Sequence, residues 1–187
     1  MGAWREPAVA RFAFGELLAN AAWASVLTYS GALLLDSYDL ALTVAALGLA
    51  AMVLGTFLAR RHAARATPRA ARVPHAFQAG AVVVLGMIRT TPAVLAAMAF
   101  VNGWRSMIAS ALGMDAAPQD RVAMMSMRAA ANQFGYLLGA AAGGLALAVA
   151  GFAGLGIALG CLFAAAVLVH APALLPSGPS VAPEGAT

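Results

Sequence analysis

Apolar residues along this chain come in long runs, without the strict alternation of a half-buried strand or the narrow stripe of a soluble amphipathic helix. The runs cover about 12–35, 40–59, 73–88, 92–113, 122–150 and 152–175. A helix that crosses a bilayer needs about 20 predominantly apolar residues, so each run is a candidate span. Short polar breaks separate them: Asp36-Ser-Tyr-Asp39, the basic stretch from Arg60 to Arg72, Arg89-Thr-Thr-Pro92, and Met114 to Arg121. Pro92 suits the first turn of a new helix, where its missing N–H costs little. The run 73–88 is short and interrupted by Gln78, and one kinked helix through Pro92 is the alternative there. Asp115 and Asp120 are placed to cap the next helix. After Pro176 the tail has too little apolar content to bury and is expected to be disordered. The expected fold is all-α: six transmembrane helices, a cytoplasmic N-terminal stretch at 1–11 and a cytoplasmic tail at 176–187.

Composition supports lipid as the solvent. The chain is 63% hydrophobic and 10% charged, against about 25% charged in soluble domains, and its mean hydropathy is +0.85. A pI near 10.2 raises nucleic acid as a partner, but the arginines sit between apolar runs, where topology accounts for them. With six spans, Arg5, Arg11, Arg60, Arg61, Arg65, Arg69, Arg72, Arg121 and Arg128 share one side, and Arg89 stands alone on the other. The positive-inside rule then puts both termini in the cytoplasm, the natural setting being a bacterial inner membrane. The first run reads as an anchor, since no small-residue cleavage site follows it. Cys161 is the single cysteine, so no intrachain disulfide exists.

Polar residues inside apolar spans are costly and need a partner or a water-filled cavity. The first span carries Glu16 and Asn20 at i, i+4, with Trp23 close to the same face. The fourth carries Asn102 and Arg105; the fifth carries Asn132, Gln133 and Tyr136. At 1.5 Å rise per residue, Glu16 lies roughly 10 Å from the centre of its span and Arg105 about 4 Å from its own. These eight residues are the candidate cavity lining, with Glu16 and Arg105 as a candidate ion pair. The competing reading has Glu16 reaching the interface and Arg105 bonding backbone carbonyls. Gly135, Gly139 and Gly143 recur every fourth residue and offer a smooth face for close helix packing, within the chain or between copies.

Other chemistries find little support. His62, His75 and His170 are expected far apart, in cytosolic loops and at a helix end, with no metal-ligand spacing, and no Ser-His-Asp or Cys-His set shares one depth. A phosphate-binding loop needs a lysine, and the chain has none. The reading is of a non-enzyme without cofactor or metal.

The loops then suggest a family. Gly55-Thr-Phe-Leu-Ala-Arg60-Arg61 resembles, in degenerate form, the signature loop between the second and third helices of each half of the major facilitator superfamily. Leu112-Gly-Met-Asp-Ala-Ala-Pro-Gln-Asp-Arg121, leading into Met125-Ser-Met-Arg-Ala-Ala-Ala-Asn-Gln-Phe-Gly-Tyr-Leu-Leu-Gly139, is similar to the loop and helix that open the eleventh span of efflux members, in the drug:proton antiporter and arabinose-efflux-like branch. The resemblance covers about residues 8–172. It implies the C-terminal half of a twelve-helix transporter, built as two inverted three-helix repeats, with Asn20-Ala-Ala-Trp23 and Asn102-Gly-Trp104 as a faint internal echo. It also implies a small solute or drug as substrate, and a second six-helix half, either a separate N-terminal half or another copy. A different class remains open: a non-transporting membrane fragment or accessory subunit packed against another membrane protein.

Overall fold

The computed structural model describes residues 7–38, 41–63, 65–88, 92–116 and 119–170. Arg5, Asp39, the 89–91 turn and the tail after His170 lie outside them. Every regular element among the described residues is α-helical: α1 Pro7–Tyr38, α2 Ala41–Ala63, α3 Pro68–Ile88, α4 Pro92–Ala116 and α5 Arg121–Val169. The chain is therefore all-α. Residues Thr43–Ala63 and Arg121–Val169 are long and apolar enough to cross a membrane. α1, α3 and α4 bury the polar side chains Glu16, Asn20, Gln78, Asn102 and Arg105.

Several boundaries differ from the sequence expectation. The expected polar turn at Asp36-Ser-Tyr is helical and closes α1, which starts at Pro7. α3 begins five residues before Val73 and contains Pro74, which forgoes one i→i−4 bond, to the Ala70 carbonyl. α4 runs on through Met114–Ala116. Separate helices α3 and α4 replace the kinked-helix alternative. Asp120 is the N-cap of α5: its side chain accepts from the Ala123 N–H at 3.1 Å.

α5 is broken at Gly151, with φ 63 and ψ −162. Only glycine enters this region without strain, so the two apolar runs become segments 121–150 and 152–169 joined by one residue. Glycine contacts define how the helices pair. Gly135 meets Leu17 and Asn20, Gly139 meets Ala21, and Gly143 meets Ser25 and Tyr29. Residue numbers rise together, so α1 and the first segment of α5 run parallel. Ser25 and Tyr29 hydroxyls donate to the Gly139 and Ala140 carbonyls, and such bonds form only where backbones approach closely. Gly55, expected in a loop, lies inside α2 against the Phe100 carbonyl, and Gly103 of α4 lies against Met52. On α3, Gly86 touches Gly156 while Val83 touches Gly160, so the second segment of α5 runs antiparallel to α3. The apolar core between these pairs includes Trp23, Val82, Met98, Leu159 and Phe163.

Candidate functional site

Three helices converge on one carboxylate. Glu16 is fully buried, one helical turn before Asn20 on α1. Arg105 of α4 brings Nη1 to 3.0 Å from Glu16 Oε1, and Arg128 of α5 brings Nε to 3.2 Å from Oε2. Both acceptor oxygens of the acid are thereby occupied by guanidinium groups, whose planar donor forks suit such pairing.

The rest of each fork is also satisfied. Arg105 Nη2 donates to Asn20 Oδ1 at 3.0 Å and to Asn102 Oδ1 at 3.1 Å, and its Nε donates to Asn102 Oδ1 at 3.2 Å. Arg128 Nη1 donates to Ser110 Oγ at 2.8 Å, while Nη2 donates to the Ser106 carbonyl and hydroxyl at 3.1 Å. Asn20 Nδ2 closes the network by donating to Asn132 Oδ1 at 2.6 Å and to the Glu16 carbonyl at 2.7 Å. Gln78 of α3 adds a long bond to Asn102 at 3.5 Å. A buried charge persists when it is paired and its remaining donors are bonded, and this network meets both conditions.

The structure thus joins Glu16, Asn20, Asn102, Arg105 and Asn132 of the expected set. It adds Arg128, Ser106 and Ser110, and it leaves out Trp23, Gln133 and Tyr136. Gln133 and Tyr136 stand exposed on α5. Arg128 corrects the arginine count: it is buried inside the bundle, seven residues past Arg121, and does not mark a loop. Arg60 and Arg61 are exposed in the last turn of α2.

Trp23 belongs to a different neighbourhood. With Val26, Ser30, Val44, Met52 and Leu95 it lines an apolar cavity of about 330 Å³ between α1, α2 and α4. Asn102 Nδ2 approaches the Met52 sulfur at 4.0 Å, so the cavity adjoins the charged network.

Two histidines expected far apart come together. His75 and His170 stack with ring centroids 5.2 Å apart and planes 5° from parallel, and Phe12 meets His170 edge-on at 6.0 Å. Gly15 leaves the space for His170: a Cβ there would lie 2.6 Å from its Nε2. Glu16, His75 and His170 donor atoms all lie within 4.8 Å of one another. His75 Nδ1 and His170 Nε2 have no hydrogen-bond partner within the protein. Electrostatics argue against a resident cation, since two arginines against one glutamate already leave one surplus positive charge and the carboxylate is fully engaged.

No family model, curated protein or solved structure matches the chain.

Proposed function

We propose that this chain is a membrane transport protein of the major facilitator type, supplying one six-helix bundle that moves a small solute or drug across a bacterial inner membrane. The observation that carries the reading is the buried Glu16–Arg105–Arg128 network beside a cavity of about 330 Å³. Ionisable groups deep in an apolar helical bundle are expensive, and they mark solute and ion paths more often than scaffolding. A cavity of that volume falls in the range that holds small organic molecules.

Helix pairing supports the same reading. α1 runs with the first segment of α5, α2 runs with α4, and α3 packs on the second segment. Exchanging the first three helical segments for the last three maps this set of pairs onto itself. That is the pattern expected of two inverted three-helix repeats. Alternating access by rocking requires a second bundle, in trans or on adjoining sequence. The cytoplasmic assignment of the basic α2–α3 turn rests on the arginine distribution.

Reconstitution tests the reading. Proteoliposomes holding the chain, alone and with a six-helix partner encoded beside it, are expected to show solute-dependent proton or substrate flux across a drug panel. Flux is expected to fall at least tenfold in Glu16→Gln. An absence of flux in both preparations defeats the transport reading and leaves the accessory-subunit alternative.

A further inference from the structure

We propose that the turn joining α2 and α3 binds one anionic phospholipid, with the headgroup phosphate on its arginines and the acyl chains along two exposed apolar stripes. The proposal rests on the membrane reading above and goes beyond it by naming a partner and its seat.

Arg60, Arg61, Arg65 and Arg69 are exposed within a stretch of ten residues. The sequence holds no acidic residue between Asp39 and Asp115, and both ion pairs among the described residues lie elsewhere, on Glu16. The cluster therefore carries unneutralised charge. Arginine prefers phosphate because its planar fork offers paired donors.

What distinguishes a phospholipid from a free phosphate is the register below the arginines. On α2, Val53 (59% exposed), Phe57 (58% exposed) and Arg61 recur at i, i+4 and i+8. On α3, Arg69, Val73 (69% exposed) and Phe77 (46% exposed) recur with the same spacing. Residues four apart share a helix face. Each helix thus presents an apolar stripe that ends in an arginine, and Arg61 and Arg69 stand eight residues apart on either side of the turn. An inorganic anion would use the charges and leave the stripes bare, whereas an anionic phospholipid uses both.

Aromatic groups sit at the same level. Arg60 lies over the Phe57 ring at 6.0 Å, and His62 packs on Trp104 at 5.0 Å. Tryptophan is enriched at the level of lipid headgroups. Clusters of arginine immediately cytoplasmic of a span attract anionic lipid, each side chain contributing about fivefold in partition.

Trp104 provides the readout. The full chain is reconstituted in phosphatidylcholine vesicles doped with either brominated phosphatidylglycerol or brominated phosphatidylcholine. The Trp104 share of quenching is taken by difference against Trp104→Phe. Quenching by the anionic lipid is expected to be several-fold stronger. That preference is expected to fall on the order of a hundredfold in apparent affinity when Arg61→Gln, Arg65→Gln and Arg69→Gln are combined, with helicity unchanged. A Val73→Ser, Phe77→Ser variant is expected to weaken the preference too, and inorganic phosphate is expected to leave it intact. Equal quenching by the two lipids, displacement by inorganic phosphate, or indifference to the serine variant overturns the proposal. A chain that an alkaline wash strips from vesicles defeats the membrane reading itself; one that stays embedded but shows no preference defeats the lipid site alone.

Discussion

Arg128 Nε stands 3.2 Å from Glu16 Oε2, on the carboxylate oxygen that Arg105 leaves free. One acid therefore links three helices, and the two arginines are unequal to it in consequence. Removing either arginine leaves a neutral pair, while removing the acid leaves two guanidinium groups facing each other in an apolar interior. Glu16→Gln is expected to destabilise the bundle by about 3–5 kcal/mol, as for a buried charge stripped of its partner. Arg105→Gln or Arg128→Gln is expected to cost about 1–3 kcal/mol, since the acid stays paired. Thermal unfolding in one detergent checks the order. A Glu16→Gln protein more stable than both arginine variants contradicts the shared-acid arrangement.

Asn132 provides a finer test. It accepts from Asn20, which also supports Arg105. Asn132→Ala is expected to cost about 1 kcal/mol, and its effect combined with Asn20→Ala is expected to fall well short of additive, because both act on one network. Additive losses in a double-mutant cycle indicate that the two amides act separately.

Glycine substitutions separate packing from backbone freedom. Gly139→Ala drives a methyl group into the Ala21 backbone of α1, and Gly135→Ala places one 2.8 Å from the Leu17 carbonyl. Gly80 has open space around it. Gly80→Ala is expected to be neutral or to stabilise α3 by up to about 1 kcal/mol, while either α5 change destabilises by about 1–3 kcal/mol through overpacking. Gly151→Ala also has room, yet its φ of 63 makes it costly. Comparative unfolding of the four variants measures this, and a neutral Gly139→Ala sinks the close-approach account.

Orientation is read by labelling. In a Cys161→Ser background, a cysteine placed at Ala66 in the α2–α3 turn is expected to react with an impermeant maleimide in inverted vesicles and to stay protected in intact cells. The reverse pattern inverts the topology.

How much of this was legible in the sequence follows from what each signal measures. Long apolar runs report helices well, because little else buries so many consecutive apolar residues. Glu16 and Arg105 stood out because charge at that depth demands compensation. Arg128 escapes this signal because counting arginines by loop treats a residue two turns inside a helix as though it lay at the interface. A wheel drawn from Asn132 would have found it: Arg128, Asn132, Gly135 and Gly139 fall on one side of a 3.6-residue helix, and Gln133 falls about 100° away. The boundary at Tyr38 is hidden for a related reason, since polar residues at a helix end need not end the helix. The stacking of His75 on His170 had no local signal, because it depends on how α3 and the second segment of α5 align.

Parallel pairing of distant helices has a consequence in time. The partners of Glu16 lie 89 and 112 residues further along the chain. At 5–20 residues per second, synthesis takes roughly 5–20 s to go from the acid to Arg128. Throughout that interval nascent α1 holds an acid and an amide without their eventual neighbours. The early helices must therefore wait, with that acid unpaired, until the fifth apolar run emerges and the bundle closes around it.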